Sequence, residues 1–94
     1  MADIRIARAH GLPVSRAKAA AQAAAEDLGR EYSLTSQWRG DTLHFFRAGV
    51  RGWIEVSPSQ IALEIHLGLL LKGLKPAIEK SVGRRLDELL AMVE

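Results

Sequence analysis

The sequence predicts an α+β fold: an antiparallel meander sheet with two helices packed on one face, in the order β-α-β-β-β-β-α. Three observations predict it. Residues 34–67 read as consecutive hairpins with two-residue turns at Gly40-Asp41, Ala48-Gly49 and Pro58-Ser59. An alanine-rich stretch from Val14 to about Tyr32 carries a helical period, and a stripe of leucine, isoleucine and valine resumes that period beyond Gly68. The hairpins weigh most because their registers agree. They pair Trp38 with Leu43, Leu43 with Ile54, Phe45 with Gly52, Ile54 with Leu63 and Val56 with Ile61, all on one face. Strand side chains alternate with period two, so a slip of one residue would turn the whole set into water.

In chain order, Ile4 and Ile6 alternate with Asp3, Arg5 and Ala7 as a short first strand, which Gly11 and Pro13 end. Its natural place is a sheet edge. The first helix, 14–32, sets Ala17, Ala21, Ala24 and Leu28 on one face, so a stripe of methyl groups should let it approach the sheet closely. Ser15 is a candidate cap, and Pro13 suits a start one or two residues earlier. Strands follow near 33–39, 42–47, 50–57 and 60–67, with Leu34, Trp38, Leu43, Phe45, Val50, Gly52, Ile54, Val56, Ile61, Leu63, Ile65 and Leu67 inward. Gly52 opposite Phe45 leaves room for a ring to lie across a residue without a side chain. Leu71, Leu74, Ile78, Val82, Leu86, Leu89 and Val93 then form the second helical stripe. Pro76 suits a first helical position, so 68–75 reads as a connector and 76–93 as the main C-terminal helix.

At 94 residues the chain, 1–94, is expected to form one domain with a single core. It contains no cysteine, which leaves disulfides and thiolate metal sites out and requires burial alone to hold the fold. The N-terminal MADIRIARAH lacks the apolar run of a signal peptide, and no segment reaches the roughly 18 apolar residues of a membrane span. A soluble, cytoplasmic protein is expected. The pI near 9.4 points toward nucleic acid at first sight. However, 13 basic residues against 11 acidic leave only +2, and the cations are scattered. Only Lys72/Lys75 and Arg84-Arg85 cluster, as solvated helix faces do, which argues against a nucleic-acid partner.

Catalytic chemistry finds little support. His10, His44 and His66 are the three histidines, and none stands at metal-ligand spacing from another. His44 and His66 share the outer sheet face but fall on non-adjacent strands. Glu55 and Glu64 also face outward on neighbouring strands, where solvated carboxylates are commonplace and no cleft is indicated. The glycines punctuate turns rather than form a phosphate loop, and Ser57-Pro58-Ser59 reads as a turn. The expectation is a non-enzyme with no catalytic residues, cofactor or metal.

The registers leave two aromatic residues facing away from the core. One outer row reads Gln37, His44, Trp53, Glu64 and the next Thr35, Phe46, Arg51, His66. A Trp and a Phe on adjacent strands, flanked by Arg and His, have the composition of a protein interface, most simply that of a homodimer. Leu69-Leu70-Leu71 is the other apolar segment, and three consecutive leucines cannot share one helical face. At least one of them should therefore be exposed or cover something other than the main core, and the favoured expectation is that 69–71 closes the end of the sheet. Phe46, Trp53, His44, Arg51, Glu64, Leu69 and Leu70 are therefore the candidate interaction surface.

The pieces IRIARAHGL, LGREY, WRGDTLHF, GVRGWIEV, LEIHLGLLLKGLKPAIEKSV and RRLDELL together resemble the polyhydroxyalkanoic acid system protein family, short bacterial proteins from granule-associated gene regions. The resemblance spans nearly the whole chain. It is most specific in GDTLHF followed by GVRGWIEV, and in LGLLLKGLKPAIE followed by RRLDELL. It implies an association with storage-polyester granules, or with a granule protein, and assigns no catalytic residue. The expected function is that of a non-enzymatic accessory or binding protein of polyhydroxyalkanoate metabolism. The alternative is a small apolar-ligand carrier with a cavity between the C-terminal helix and the sheet.

Overall fold

The computed structural model describes residues 2–92, apart from the Met92 side chain. β1 (Ile4–Ala9) leads into α1 (Val14–Tyr32), followed by β2 (Thr35–Arg39), β3 (Thr42–Arg47), β4 (Val50–Val56) and β5 (Gln60–Leu67). A 3₁₀ helix (Leu69–Leu74) then runs directly into α2 (Lys75–Met92). The five strands form an antiparallel sheet in the order β1-β5-β4-β3-β2. β1 takes an edge, as expected, pairing Ile4 with Ile65 and Ile6 with Leu63.

Each expected hairpin register is present: Trp38 opposite Leu43, Leu43 opposite Ile54, Phe45 opposite Gly52, Ile54 opposite Leu63 and Val56 opposite Ile61. Gly40 and Gly49 hold positive φ, 61° and 84°, at their turns, where glycine carries no Cβ penalty. The inward row is buried across β3, β4 and β5, while Leu34, Trp38 and Val50 are half-buried toward the sheet's periphery. Trp38 there donates its indole N–H to Gln22 Oε1 at 2.7 Å, and the Lys18 ammonium sits 5.3 Å from its ring centroid.

α1 has the expected bounds but a broader buried stripe, with Ala20 and Ala25 joining Ala17, Ala21, Ala24 and Leu28. The helix touches both the sheet and α2, so one narrow row of methyl groups cannot meet both neighbours. Ser15 does not cap it. Pro13 occupies the cap position, and its carbonyl accepts from the N–H groups of Arg16 and Ala17, both at 3.0 Å. At the other end Ser33 takes the left-handed conformation (φ 59°), and Leu34 N–H closes on the Gly29 carbonyl at 3.2 Å.

In α2, Ile78, Val82, Leu86 and Leu89 are buried as the stripe predicts, and Leu90 joins them. Val93 lies outside the described residues. The helix begins at Lys75, one residue before Pro76, because the preceding 3₁₀ turn feeds it without a break. Gly83 faces β1, where an added Cβ would stand 3.4 Å from Arg8 Nη2 and 3.9 Å from Ile6 Cδ1. Arg85, expected to be a solvated cation, reaches across to Asp27 of α1 and ties the helices together, with Glu88 Oε2 3.4 Å from its Nη1. Those two carboxylates, Asp27 first, hold the guanidinium pKa above its usual value.

The tightest point of the core is the crossing of Phe45 over Gly52. Phe45 is fully buried, and a Cβ at Gly52 would lie 2.5 Å from its Cε2 and 2.6 Å from the Glu64 carbonyl oxygen. Neither a core ring nor a sheet carbonyl can withdraw cheaply. Gly52→Ala should therefore lower stability by about 1–3 kcal/mol in urea denaturation, from overpacking. Gly11→Ala is the control, with nothing within 4 Å of its added Cβ. It should stay within about 1 kcal/mol of the parent.

Candidate functional site

The helices cover one face of the sheet and leave the other open. Along β4, the middle strand, Arg51, Trp53 and Glu55 point outward, with Arg51 and Glu55 exposed and Trp53 half-buried. The central outer row runs Gln37, His44, Trp53, Glu64, Arg5 from one edge of the sheet to the other. Trp53 leans against His66, with ring centroids 5.2 Å apart and planes tilted by 34°. Glu64 accepts two bonds from the Arg5 guanidinium, at 2.9 and 3.1 Å. Phe46, in the row of Arg51 and His66, is 45% exposed.

The second apolar group is the 3₁₀ turn. Leu69 and Leu70 are 83% and 96% exposed, which corrects the expectation that 69–71 closes the end of the sheet. Only Leu71 turns inward, half-buried against the core beside Gly49, whose added Cβ would stand 3.1 Å from Leu71 Cδ1. A 3₁₀ helix advances about 120° per residue, so consecutive side chains fan around the axis and one inward leucine sends its neighbours out. Leu74, also expected in the stripe, remains 39% exposed. Gly68 N–H bonds to the Gly49 carbonyl at 2.7 Å, placing this turn against the β3–β4 hairpin at the end of the sheet that carries Phe46. Among the described residues, the large exposed hydrophobics are Phe46, Leu69, Leu70 and Leu74, and all belong to this end.

Asp3 holds the base of the turn. One carboxylate oxygen accepts from Leu67 N–H at 2.8 Å and the other from Lys72 Nζ at 3.1 Å. The Leu67 N–H bond, then Lys72, keeps the Asp3 pKa below the usual carboxylate value. Neither contact had a local signal, because Asp3 lies more than sixty residues from both partners.

The remaining sequence candidates do not converge. His10 is a strut: its Nδ1 accepts from Leu12 N–H at 3.1 Å while its Nε2 lies 2.8 Å from the Ser57 carbonyl oxygen, tying the β1–α1 loop to the β4–β5 hairpin. With Nδ1 accepting, Nε2 is the ring nitrogen that donates to the Ser57 carbonyl. His44 and His66 stand on β3 and β5 with β4 between them, and Glu55 and Glu64 occupy different cross-strand rows. Among the described residues no three His, Asp or Glu side chains gather as metal ligands. Beneath the 3₁₀ turn, Leu28, Phe45, Ile65, Leu71 and Ile78 line an apolar space of about 30 Å³. A small-molecule pocket is roughly ten times larger, about 300 Å³ or more. A wide groove of about 980 Å³ runs between the free edge of β1 and α2, but charges of both signs line it, with Arg8 bonded to Asp87 at 2.7 Å. Among the described residues no helix is long and apolar enough to cross a membrane.

The Asp3 clamp has a pH signature. Its carboxyl titrates lower in the folded chain than in the unfolded one, so its stabilisation is present above the unfolded value near 3.9 and is lost as pH falls through the depressed folded value. Asp3→Asn should melt below the parent at neutral pH. The two melting temperatures should converge as acid protonates Asp3 in the parent.

No curated protein and no solved structure matches this chain. A family model described as "putative polyhydroxyalkanoic acid system protein" matches residues 4–90, from the first strand to the buried end of α2. That span contains the sheet, both helices and the leucine turn, and with it the chain belongs to the polyhydroxyalkanoic acid system protein family.

Proposed function

We propose that this is a cytoplasmic, non-enzymatic accessory protein of polyhydroxyalkanoate metabolism that docks on the storage polyester through its leucine turn. The observation that carries this reading is the exposure of Leu69 and Leu70, 83% and 96%, on a turn held by Asp3. Two adjacent leucines kept in water forgo about 1.5–3 kcal/mol each of burial, which an apolar surface would return. Leu74 extends the apolar area at the same end, and Lys72 and Lys75 are exposed cations near it in the chain. Apolar tips with basic residues behind them suit an apolar surface bordered by anionic groups. The family's description, which names the polyhydroxyalkanoic acid system, is what suggests the polymer as that surface. The non-enzymatic part of the reading is supported by the structural use of two histidines, His10 bonding to backbone groups and His66 lying against the Trp53 ring.

The test is sedimentation of purified protein with artificial polyester granules. The parent should pellet with them, and the double variant Leu69→Ser/Leu70→Ser should lose at least about tenfold in bound fraction. Its melting temperature should hardly move, since neither side chain touches the core. A parent protein that stays in the supernatant would overturn the reading.

A further inference from the structure

We propose that the open face of the sheet is covered by a second copy of this chain, packed face to face about a two-fold axis that passes over Trp53 at right angles to the strands. The inference does not depend on what the leucine turn binds.

The charge pattern of β4 selects this axis. Arg51 and Glu55 flank Trp53 symmetrically on the middle strand of five, and among the described residues neither belongs to an ion pair, whereas Glu64 on the same face is bonded to Arg5. A two-fold perpendicular to the strands, lying between the sheets, reverses strand direction and keeps each strand above its own copy. Trp53 then meets Trp53, and Arg51 meets Glu55 of the second copy, twice. The central row lies along this axis, so Glu64 meets Glu64 and Arg5 meets Arg5, each already paired within its own copy by the Arg5–Glu64 bridge. An axis parallel to β4 would instead set Arg51 on Arg51 and Glu55 on Glu55, outside any such pair, which like-charge repulsion disfavours.

Side-chain size follows the same operator. On the three central strands the row of Arg51 holds Phe46 and His66 while the row of Glu55 holds Thr42 and Ala62; on the edge strand β2 the sizes are reversed, with Thr35 beside Phe46 and Arg39 beside Thr42. Reversal about Trp53 lays large side chains of one copy on small ones of the other, so Phe46 meets Thr42, His66 meets Ala62 and, on β2, Arg39 meets Thr35. Two flat faces of equal bulk could not interlock in this way, and interlocking inner faces are what let stacked sheets approach to about 10 Å.

The face is also large enough. Five strands about 4.8 Å apart, six or so residues long at about 3.3 Å each, project to about 24 by 20 Å. That is about 480 Å² in projection, close to the roughly 500 Å² per partner that a specific interface needs and below the roughly 800 Å² of a standard one. The free edge of β1 fits a second copy less well in the register centred between Ile6 and Ala7, which would set Arg5 against Arg8. In the proposed dimer the two leucine turns point to opposite ends.

Sedimentation-velocity runs on the full chain, from micromolar to submillimolar concentration, test this. The parent should run as a dimer. Arg51→Glu and Glu55→Arg should each weaken dimerisation by at least about tenfold, because each sets like charges together twice. Arg51→Glu/Glu55→Arg should restore the dimer, and the two single variants mixed should form a heterodimer. These changes lie on the solvent face, and circular dichroism should show an unchanged fold. A parent that is monomeric throughout, single variants that dimerise like the parent, or a double variant that fails to recover would each overturn the proposal.

Discussion

Everything in this molecule depends on the pairing of β4 with both of its neighbours. Because β4 is the middle strand, its register with β3 and with β5 sets the parity of the hairpin sheet, and one glycine fixes that parity sterically. Gly52 must face inward, since Phe45 occupies the space that its side chain would need. Once Gly52 is inward, Ile54 and Val56 follow it into the core, and Arg51, Trp53 and Glu55 are forced outward. Core and open face are therefore two readings of one alternation.

The helices complete the core from one side only. α1 contributes chiefly methyl groups, which bring its axis close to the sheet, and α2 adds longer side chains at Ile78, Val82 and Leu86. Gly83 extends the close approach to β1 at the sheet's edge. Both helices lie on the inner face, and among the described residues no element covers the outer one. A solvated antiparallel face is ordinary. This one departs from the ordinary in placing a tryptophan at its centre and a phenylalanine beside it.

The fold was legible because local signals and long-range registers agreed. Turn residues at Gly40, Gly49 and Pro58 marked the hairpins, period-two alternation fixed their faces, and the alanine run located α1, though the earlier start suggested by Pro13 is not seen. The outer-face half of the candidate surface was legible for the same reason, since a register assigns every side chain to a side. What stayed hidden was carried by contacts between distant parts of the chain. Asp3 with Leu67 and Lys72, His10 with Ser57, and Arg85 with Asp27 join segments that no periodicity relates. The capping role given to Ser15 failed because Pro13 already held the start of α1. The buried space beneath the 3₁₀ turn, likewise, depends on how Leu71 seats against Phe45 and Ile78, which residue type alone does not determine.

The leucine turn shows why an apolar triplet misleads a reading based on composition. Hydrophobicity alone would bury Leu69, Leu70 and Leu71 together. The backbone forbids it: Gly68 N–H is committed to Gly49, Leu67 N–H to Asp3, and Leu71 N–H to the Gly68 carbonyl at 2.9 Å. These bonds fix the entry angle of the turn, and its three-residue winding gives the core side to a single leucine. Leu71 takes that side beside Gly49, where a larger residue would crowd it. Releasing Leu69 or Leu70 inward would break the Asp3 clamp and empty the place of Leu71, so local rearrangement offers no route to bury all three. Their exposure is imposed by the same hydrogen bonds that end the sheet. It is a fixed property of the folded chain, available to any apolar surface the protein meets.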